Sequence, residues 1–199
     1  MYAIVESGSI TQTFNNPRKL VINNIRYSTK IFSLWSVAEK KAIGLYEVEY
    51  DNTNKKDEEW YINTNQTLVY DSSGDKVVAS YGTATAKEIN DKNAEDEDGV
   101  ELDPVVVIKG LKTIKKEMIN NQCEGILAPS DWRVIKAKET GSTMNSGWKT
   151  WRASVRTKCN SMQTQIDGAA NVDALAALFT YTTTDGVTSR PLGEFPVKE

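Results

Sequence analysis

The chain changes from strand-like to helix-like periodicity across one strongly acidic segment, and this change most constrains its fold. Over roughly the first eighty residues, short apolar runs alternate with polar residues and end at turn residues, as β-strands do. From Val105 onward, apolar residues recur mostly at spacings of three and four, which is typical of amphipathic helices. The sequence therefore predicts an α+β fold, with a small, mostly-β N-terminal domain followed by a C-terminal helical domain.

The segment between the two patterns is predicted to be a linker. Residues 87–103 hold eight carboxylates against two lysines and few apolar groups, so self-repulsion opposes packing. The 199 residues allow two halves with modest cores. We predict a β-rich domain at 1–86, an acidic linker at 87–106, a helical domain at 107–180 and a polar C-terminal arm at 181–199.

Local signals indicate the elements of the first domain. Ser7 and Gly8 separate two strand patterns at residues 2–6 and 10–14, which predicts a hairpin. A second hairpin is predicted from residues 68–70 and 77–81, whose connection contains Asp71 and Gly74. Ser36 and Glu39 form a capping-box pattern for one short helix that ends at Gly44 and precedes a strand at residues 45–50.

The second domain is predicted to contain four helices. Pro129 closes the first, and Ser130 is predicted to cap a second at residues 132–139, stopped by Gly141. A third runs through residues 148–166, and Asn171 caps a fourth at residues 172–179. The Thr-rich tail with Asp185 and Gly186 is predicted to be a turn, a short hairpin or an extended arm.

Composition argues against most kinds of catalytic chemistry. The chain has no histidine, which removes the commonest general base and metal ligand, and it has no phosphate-binding glycine motif. We predict no catalytic residue, no cofactor and no metal site; residues 87–103 fail the EF-hand spacing because Ala94 stands where an aspartate is needed. The net charge of −3 argues against nucleic-acid binding, and no apolar run predicts a membrane span. Cys123 and Cys159 are interpreted as reduced core thiols rather than a disulfide.

The strongest candidate for a binding surface is a group of tryptophans and arginines in the third predicted helix. Two tryptophans and two arginines fall on neighbouring rows of that helix, and both residue types are enriched in interface hot spots. Core packing, a protein interface and stacking on nucleic acid all remain open for them. Trp132 is predicted to pack at the helix junction first, to bind second and to do no chemistry. The predicted interaction residues are Trp132, Trp148, Trp151, Arg152 and Arg156.

The order of these motifs resembles the C-terminal region of small tailed-bacteriophage proteins, the tail-fibre assembly and tail assembly chaperone-like families. The resemblance lies in Leu127-Ala-x-Ser-Asp-Trp132, Glu139-x-Gly141 and Trp148-x-x-Trp151-Arg152-x-x-x-Arg156, where those families carry a Ser/Thr-Asp-Trp helix end and a Tyr-Arg core. It covers roughly residues 107–170, and a looser similarity covers residues 1–8 and 35–46. The proline-rich, tryptophan-bearing end of the chaperone-like families is replaced here by a Thr-rich arm.

The resemblance implies a virion structural protein of the phage tail, at the fibre or baseplate attachment region, made in the host cytoplasm. Its expected partners are other tail proteins (fibre, baseplate or adaptor) in a symmetric assembly, with no nucleic acid and no membrane. One alternative is a tail-fibre assembly chaperone that does not stay in the virion. Another is a carbohydrate-binding tail protein that uses Trp35 or Trp60 as a sugar platform.

Overall fold

The computed structural model describes residues 1–198 and divides into two compact units, one of residues 1–85 and one that begins at Ala86. The first is rich in strands and the second in helices, which is compatible with the α+β class. Its strands and helices are β1 (Tyr2–Glu6), β2 (Ser9–Phe14), β3 (Leu20–Ile22), β4 (Ile25–Tyr27), α1 (Ile31–Leu34), α2 (Val37–Ala42), β5 (Leu45–Asp51), β6 (Tyr61–Ile62), β7 (Thr67–Asp71), β8 (Lys76–Ser80) and β9 (Thr85–Ala86) at the unit boundary.

A five-stranded sheet in the order β2-β1-β5-β8-β7 forms the first unit, with β5 and β8 parallel and the other neighbours antiparallel. Successive residues of a strand point to opposite faces, so Ile4 and Leu45 belong to one core cluster and Ala3 and Tyr46 to the other. The sheet is therefore packed on both faces.

The local signals of this unit are confirmed. Ser7 and Gly8 both have positive φ, at 51° and 78°, as the tight turn between β1 and β2 requires. The β7–β8 hairpin forms, and the capping box of α2 is complete on both sides. Gly44 follows α2 at φ 80°, and a Cβ there would collide with the Val5 carbonyl oxygen.

The second unit contains β10 (Lys92–Asn93), β11 (Val107–Ile108), α3 (Leu111–Leu127), a 3-10 turn (Ala128–Ser130), α4 (Asp131–Thr140), α5 (Ser146–Gly168), α6 (Val172–Phe179), β12 (Thr182–Thr184) and β13 (Val187–Ser189). The four predicted helices are thus confirmed, including the Asn171 cap, whose Oδ1 accepts from the Ala174 amide at 2.9 Å. The core of the unit lies between α3 and α5 and is closed by α6 and the tail. Its fully buried residues include Ile119, Val155, Met162, Ile166, Leu175 and Leu192.

Residues 87–106 differ from the predicted linker, because Glu88, Ile89 and Asp91 are hydrogen-bonded to the start of α3. The Asp91 carboxylate accepts from the Gly110 amide at 2.8 Å and from the Thr113 hydroxyl at 2.9 Å. The Leu111 amide donates to the Glu88 carbonyl at 2.9 Å. The helix begins at Leu111 rather than near Val105, and residues 107–108 pair as a strand, which suits their β-branched side chains.

The tail also departs from the predicted polar arm. The β12–β13 hairpin forms through Asp185 and Gly186, but the chain then returns to α5. Leu192 is fully buried, and its carbonyl accepts from the Lys158 ammonium at 2.8 Å.

Candidate interaction surface

The junction between α3 and α4 is held from beneath by Arg152 of α5. Its guanidinium donates to the Leu127 carbonyl at 2.8 Å, to the Ser130 hydroxyl, and to the Asp131 carboxylate at 2.5 Å. Arg152 is only 5% exposed. These three partners are needed because burying a charged group without hydrogen-bond partners costs several kcal/mol of folding free energy. The predicted interaction role of Arg152 is therefore corrected, because its side chain lies inside the fold.

Ser130 does not cap α4 through its side chain, contrary to the prediction. Its hydroxyl donates to the Leu127 carbonyl at 2.7 Å and accepts from Arg152. The 3-10 turn directs the hydroxyl back towards α3, where it links the turn to the buried guanidinium. The serine is thus structural, but through a contact 22 residues distant in sequence.

Trp132 does not pack into the junction, and that prediction was wrong. It is 51% exposed, and α4 as a whole buries none of its side chains. Val134 and Ile135 are exposed as well. The reason is that Arg152 already occupies the space beneath the junction, so the first turn of α4 carries its indole outward. Trp132 and Ile135, three positions apart on α4, expose apolar surface of the kind that partners cover.

Arg133 connects Trp132 of α4 to Trp148 of α5. Its guanidinium carbon lies 4.5 Å from the Trp132 ring centroid and 4.3 Å from that of Trp148. These distances are those of cation–π contacts. The stack fixes the two indoles relative to each other and lines one side of a cleft of about 180 Å³ together with Lys136. Sequence reasoning missed Arg133, because the partner indole lies across an interhelical loop.

The two tryptophans of α5 have different surroundings. Trp148 and Trp151 meet edge to face, with centroids 5.5 Å apart at 88°. The Trp151 indole N–H donates to the Pro196 carbonyl at 2.9 Å, so this half-buried ring anchors the tail. Trp148 joins the Arg133 stack, and the Lys198 ammonium of the tail lies 5.5 Å from its ring centroid. The predicted common face is thus divided between tail packing and an outward-facing patch.

Arg156 remains on the surface, where it lines a cleft between α4 and α5. This cleft measures about 470 Å³ and is also lined by Val134, Met144, Lys149 and the edge of Arg152. A neighbouring cleft of about 420 Å³ shares both arginines. We call the first the basic cleft, since cationic and apolar groups border it together.

The thiols lie in the same helical pair but are not suited to nucleophilic chemistry. Cys123 and Cys159 are both buried and free, as predicted. Burial raises the pKa of the Cys123 thiol to about 11, and its contact with Cys159 adds to the shift. A thiol with such a pKa stays protonated at neutral pH and is a poor nucleophile.

The sugar-platform alternative loses one of its two residues, because Trp60 is buried. Trp35 is half-buried and packs edge-on against Tyr27, with centroids 5.7 Å apart. Within residues 1–198, no group of three or more His, Cys, Asp or Glu side chains is placed to hold a metal ion. None of the helices in that part of the chain combines the length and apolarity needed to span a membrane. Comparison with protein-family models, curated proteins and solved structures finds no match.

Proposed function

We propose that this chain is a non-enzymatic structural component of a bacteriophage tail that acts through protein–protein contacts. The observation that carries the interaction role is α4, which exposes Trp132, Val134 and Ile135 while burying none of its own residues. The tail assignment is supported by the motif resemblance over residues 107–170.

The surface has the features of an interface hot spot. Trp132 and Trp148 are held by the Arg133 stack before any partner arrives, so little side-chain entropy remains to be lost on binding. Tryptophan and arginine are also the residues that contribute most to binding when a partner excludes water. We therefore assign the partner contact to Trp132, Arg133 and Trp148, and we assign Trp151 and Arg152 to holding the fold. The expected partner is another tail protein, such as the fibre, the baseplate or an adaptor.

Quantitative mass spectrometry of gradient-purified, salt-washed phage particles tests the location. We expect this chain at a fixed whole-number ratio to the major tail protein. Absence from particles, with abundance in infected lysate, would instead identify an assembly chaperone.

A variant pair tests the contact surface. Trp132→Ala combined with Trp148→Ala is expected to reduce incorporation into particles by more than about tenfold, the loss that follows from removing about 1.4 kcal/mol of binding. Tyr50→Ala is the matched control, because Tyr50 is as exposed as Trp132, at 51%, but lies in the first unit. If the double tryptophan variant and Tyr50→Ala are incorporated equally well, α4 is not part of the interface.

A further inference from the structure

The segment at residues 92–108, which we call the acidic arm, forms an extended hairpin with little of its own surface covered. The Ala94 amide donates to the Val106 carbonyl at 2.7 Å, and the Asp96 amide donates to the Val100 carbonyl at 2.8 Å. Strands β10 and β11 close its base. Six apolar side chains of the arm are 37–60% exposed: Val100, Leu102, Val105, Val106, Val107 and Ile108. A run of this kind is normally covered by a partner surface.

Charge distinguishes the arm from the opposite end of the same unit. The arm carries six carboxylates and only Lys92 as a cation. Residues 131–156 carry six cations against Asp131 and Glu139. Lys149 and Arg156 border the basic cleft together with the apolar Val134 and Met144. The arm and the cleft are therefore complementary both in charge and in apolar character.

The two surfaces lie at opposite ends of the α3–α5 pair. The Lys116 ammonium of α3 binds the Asp167 carboxylate at 2.8 Å, near the end of α5. The Leu127 carbonyl at the other end of α3 binds Arg152, near the start of α5. The helices are antiparallel, and 17 residues of α3 extend about 25 Å at 1.5 Å per residue. The arm leaves the N-terminal end of α3, and the cleft lies beyond its C-terminal end.

We propose that the acidic arm of one copy docks into the basic cleft of a second copy, head to tail. Carboxylates of the arm approach Lys149 and Arg156, while its valines cover the apolar floor formed by Val134 and Met144. Because the two surfaces differ, each contact leaves one arm and one cleft unused, and repetition generates a ring or a filament. This inference goes beyond a role in the tail, since it concerns contacts between copies of this chain.

The size of the arm sets the expected strength. Its residues 92–108 are fewer than the ~20–30 residues per side of a standard interface. We therefore expect reversible association at micromolar concentrations rather than an obligate oligomer. Opposite charges also make the contact sensitive to salt.

Sedimentation equilibrium of the purified full chain tests the proposal. At low salt, the weight-average mass is expected to rise with concentration above the 22.2 kDa of one chain. Raising the salt from about 0.05 M to about 0.5 M is expected to weaken association by about tenfold or more, because the shorter Debye length screens the attraction between the exposed charges.

Charge reversal identifies the surfaces. An arm variant, Glu97→Lys with Asp98→Lys, and a cleft variant, Lys149→Glu with Arg156→Glu, are each expected to remain monomeric. Mixed together they are expected to associate again, because the unaltered acidic arm of the cleft variant then meets the unaltered basic cleft of the arm variant. Glu6→Lys with Glu58→Lys is the control for the arm variant: it makes the same charge change in the first unit and is expected to associate like the unaltered chain. Circular dichroism confirms that each variant is folded.

The outcomes separate clearly. Loss of association in both variants with recovery on mixing supports docking of arm into cleft. A chain that is monomeric at all concentrations overturns the proposal, as does association that survives either reversal or fails to recover on mixing. None of these results bears on particle incorporation, so the proposed tail role is tested independently.

Discussion

Replacing Arg152 by methionine is expected to destabilise the helical unit by about 2 to 3 kcal/mol. Methionine has a similar length but donates no hydrogen bond, so the Ser130 hydroxyl loses its charged donor in a buried site. The Leu127 carbonyl loses its charged donor as well and keeps the bond from the Ser130 hydroxyl. Each hydrogen bond from a charged donor is worth about 1.5 to 3 kcal/mol.

Two further contributions decide the total. The Asp131 side chain is half-exposed, so its ion pair with Arg152 adds only about 0 to 1 kcal/mol. Burying a methionine instead of a guanidinium recovers part of the loss, because the charge no longer has to be desolvated. These opposing effects place the result at or below the lower end of the roughly 3 to 6 kcal/mol to which two such hydrogen bonds sum.

The assay is urea unfolding followed by far-ultraviolet circular dichroism, which reports mainly on the helices. Arg156→Met is the matched control, because it removes the same group from an exposed position on the same helix and is expected to change stability by less than about 0.5 kcal/mol. Trp132→Ala is expected to cost less than about 1 kcal/mol for the same reason. If Arg152→Met and Arg156→Met unfold alike, or if Trp132→Ala is the more damaging change, the assigned roles of these residues are wrong.

Three other predictions follow from single residues. Gly44→Ala is expected to destabilise the first unit by about 1 to 3 kcal/mol more than Gly8→Ala, since both have positive φ but only Gly44 faces a carbonyl oxygen; thermal unfolding compares them. The pKa of Asp91 lies below its usual 3.8, first because the Gly110 amide donates to it and then because Thr113 does. Its contribution is therefore present above the unfolded pKa and is lost as pH falls through the folded one, so Asp91→Ala should lower stability at neutral pH and flatten its decline below about pH 4 in urea titrations. Cys123, with its pKa raised to about 11, is expected to react with a thiol reagent at neutral pH only after urea unfolds the helical unit, and rapid labelling of the native chain would contradict this.

The elements of this fold that the sequence predicts are those specified by neighbouring residues. The capping box of α2, the Ser7–Gly8 turn and the Asn171 cap each depend on residues within three positions of one another. The predicted start of α3 is too early for a related reason. Its capping carboxylate, Asp91, lies 19 residues before the Gly110 amide that it accepts from, and no local pattern connects the two.

The sequence predicts packing at the junction first for Trp132 and interaction for Arg152, and the structure differs on both for a physical reason. Periodicity gives the row of the helix on which a residue lies, and residue type indicates which rows face inward. Position 152 is in step with the buried positions 155, 159, 162 and 166, and this spacing alone indicates a core position. Residue type points the other way, because an indole favours a buried junction and a charged guanidinium favours the surface. The structure reverses both, because the guanidinium finds three partners there.

This reversal makes folding and binding separable in the helical unit. Arg152 stabilises the α3–α4 junction from beneath, through groups that a partner cannot reach. The Trp132 indole lies on the other side of that junction, where it stacks on Arg133 and adds little to the core. Truncating a side chain that stabilises the fold usually also disrupts the surface that it supports. Truncating an exposed side chain usually leaves the fold intact. Trp132 can therefore be truncated in a folded chain, and any loss of partner contact can then be attributed to the α4 surface itself rather than to unfolding.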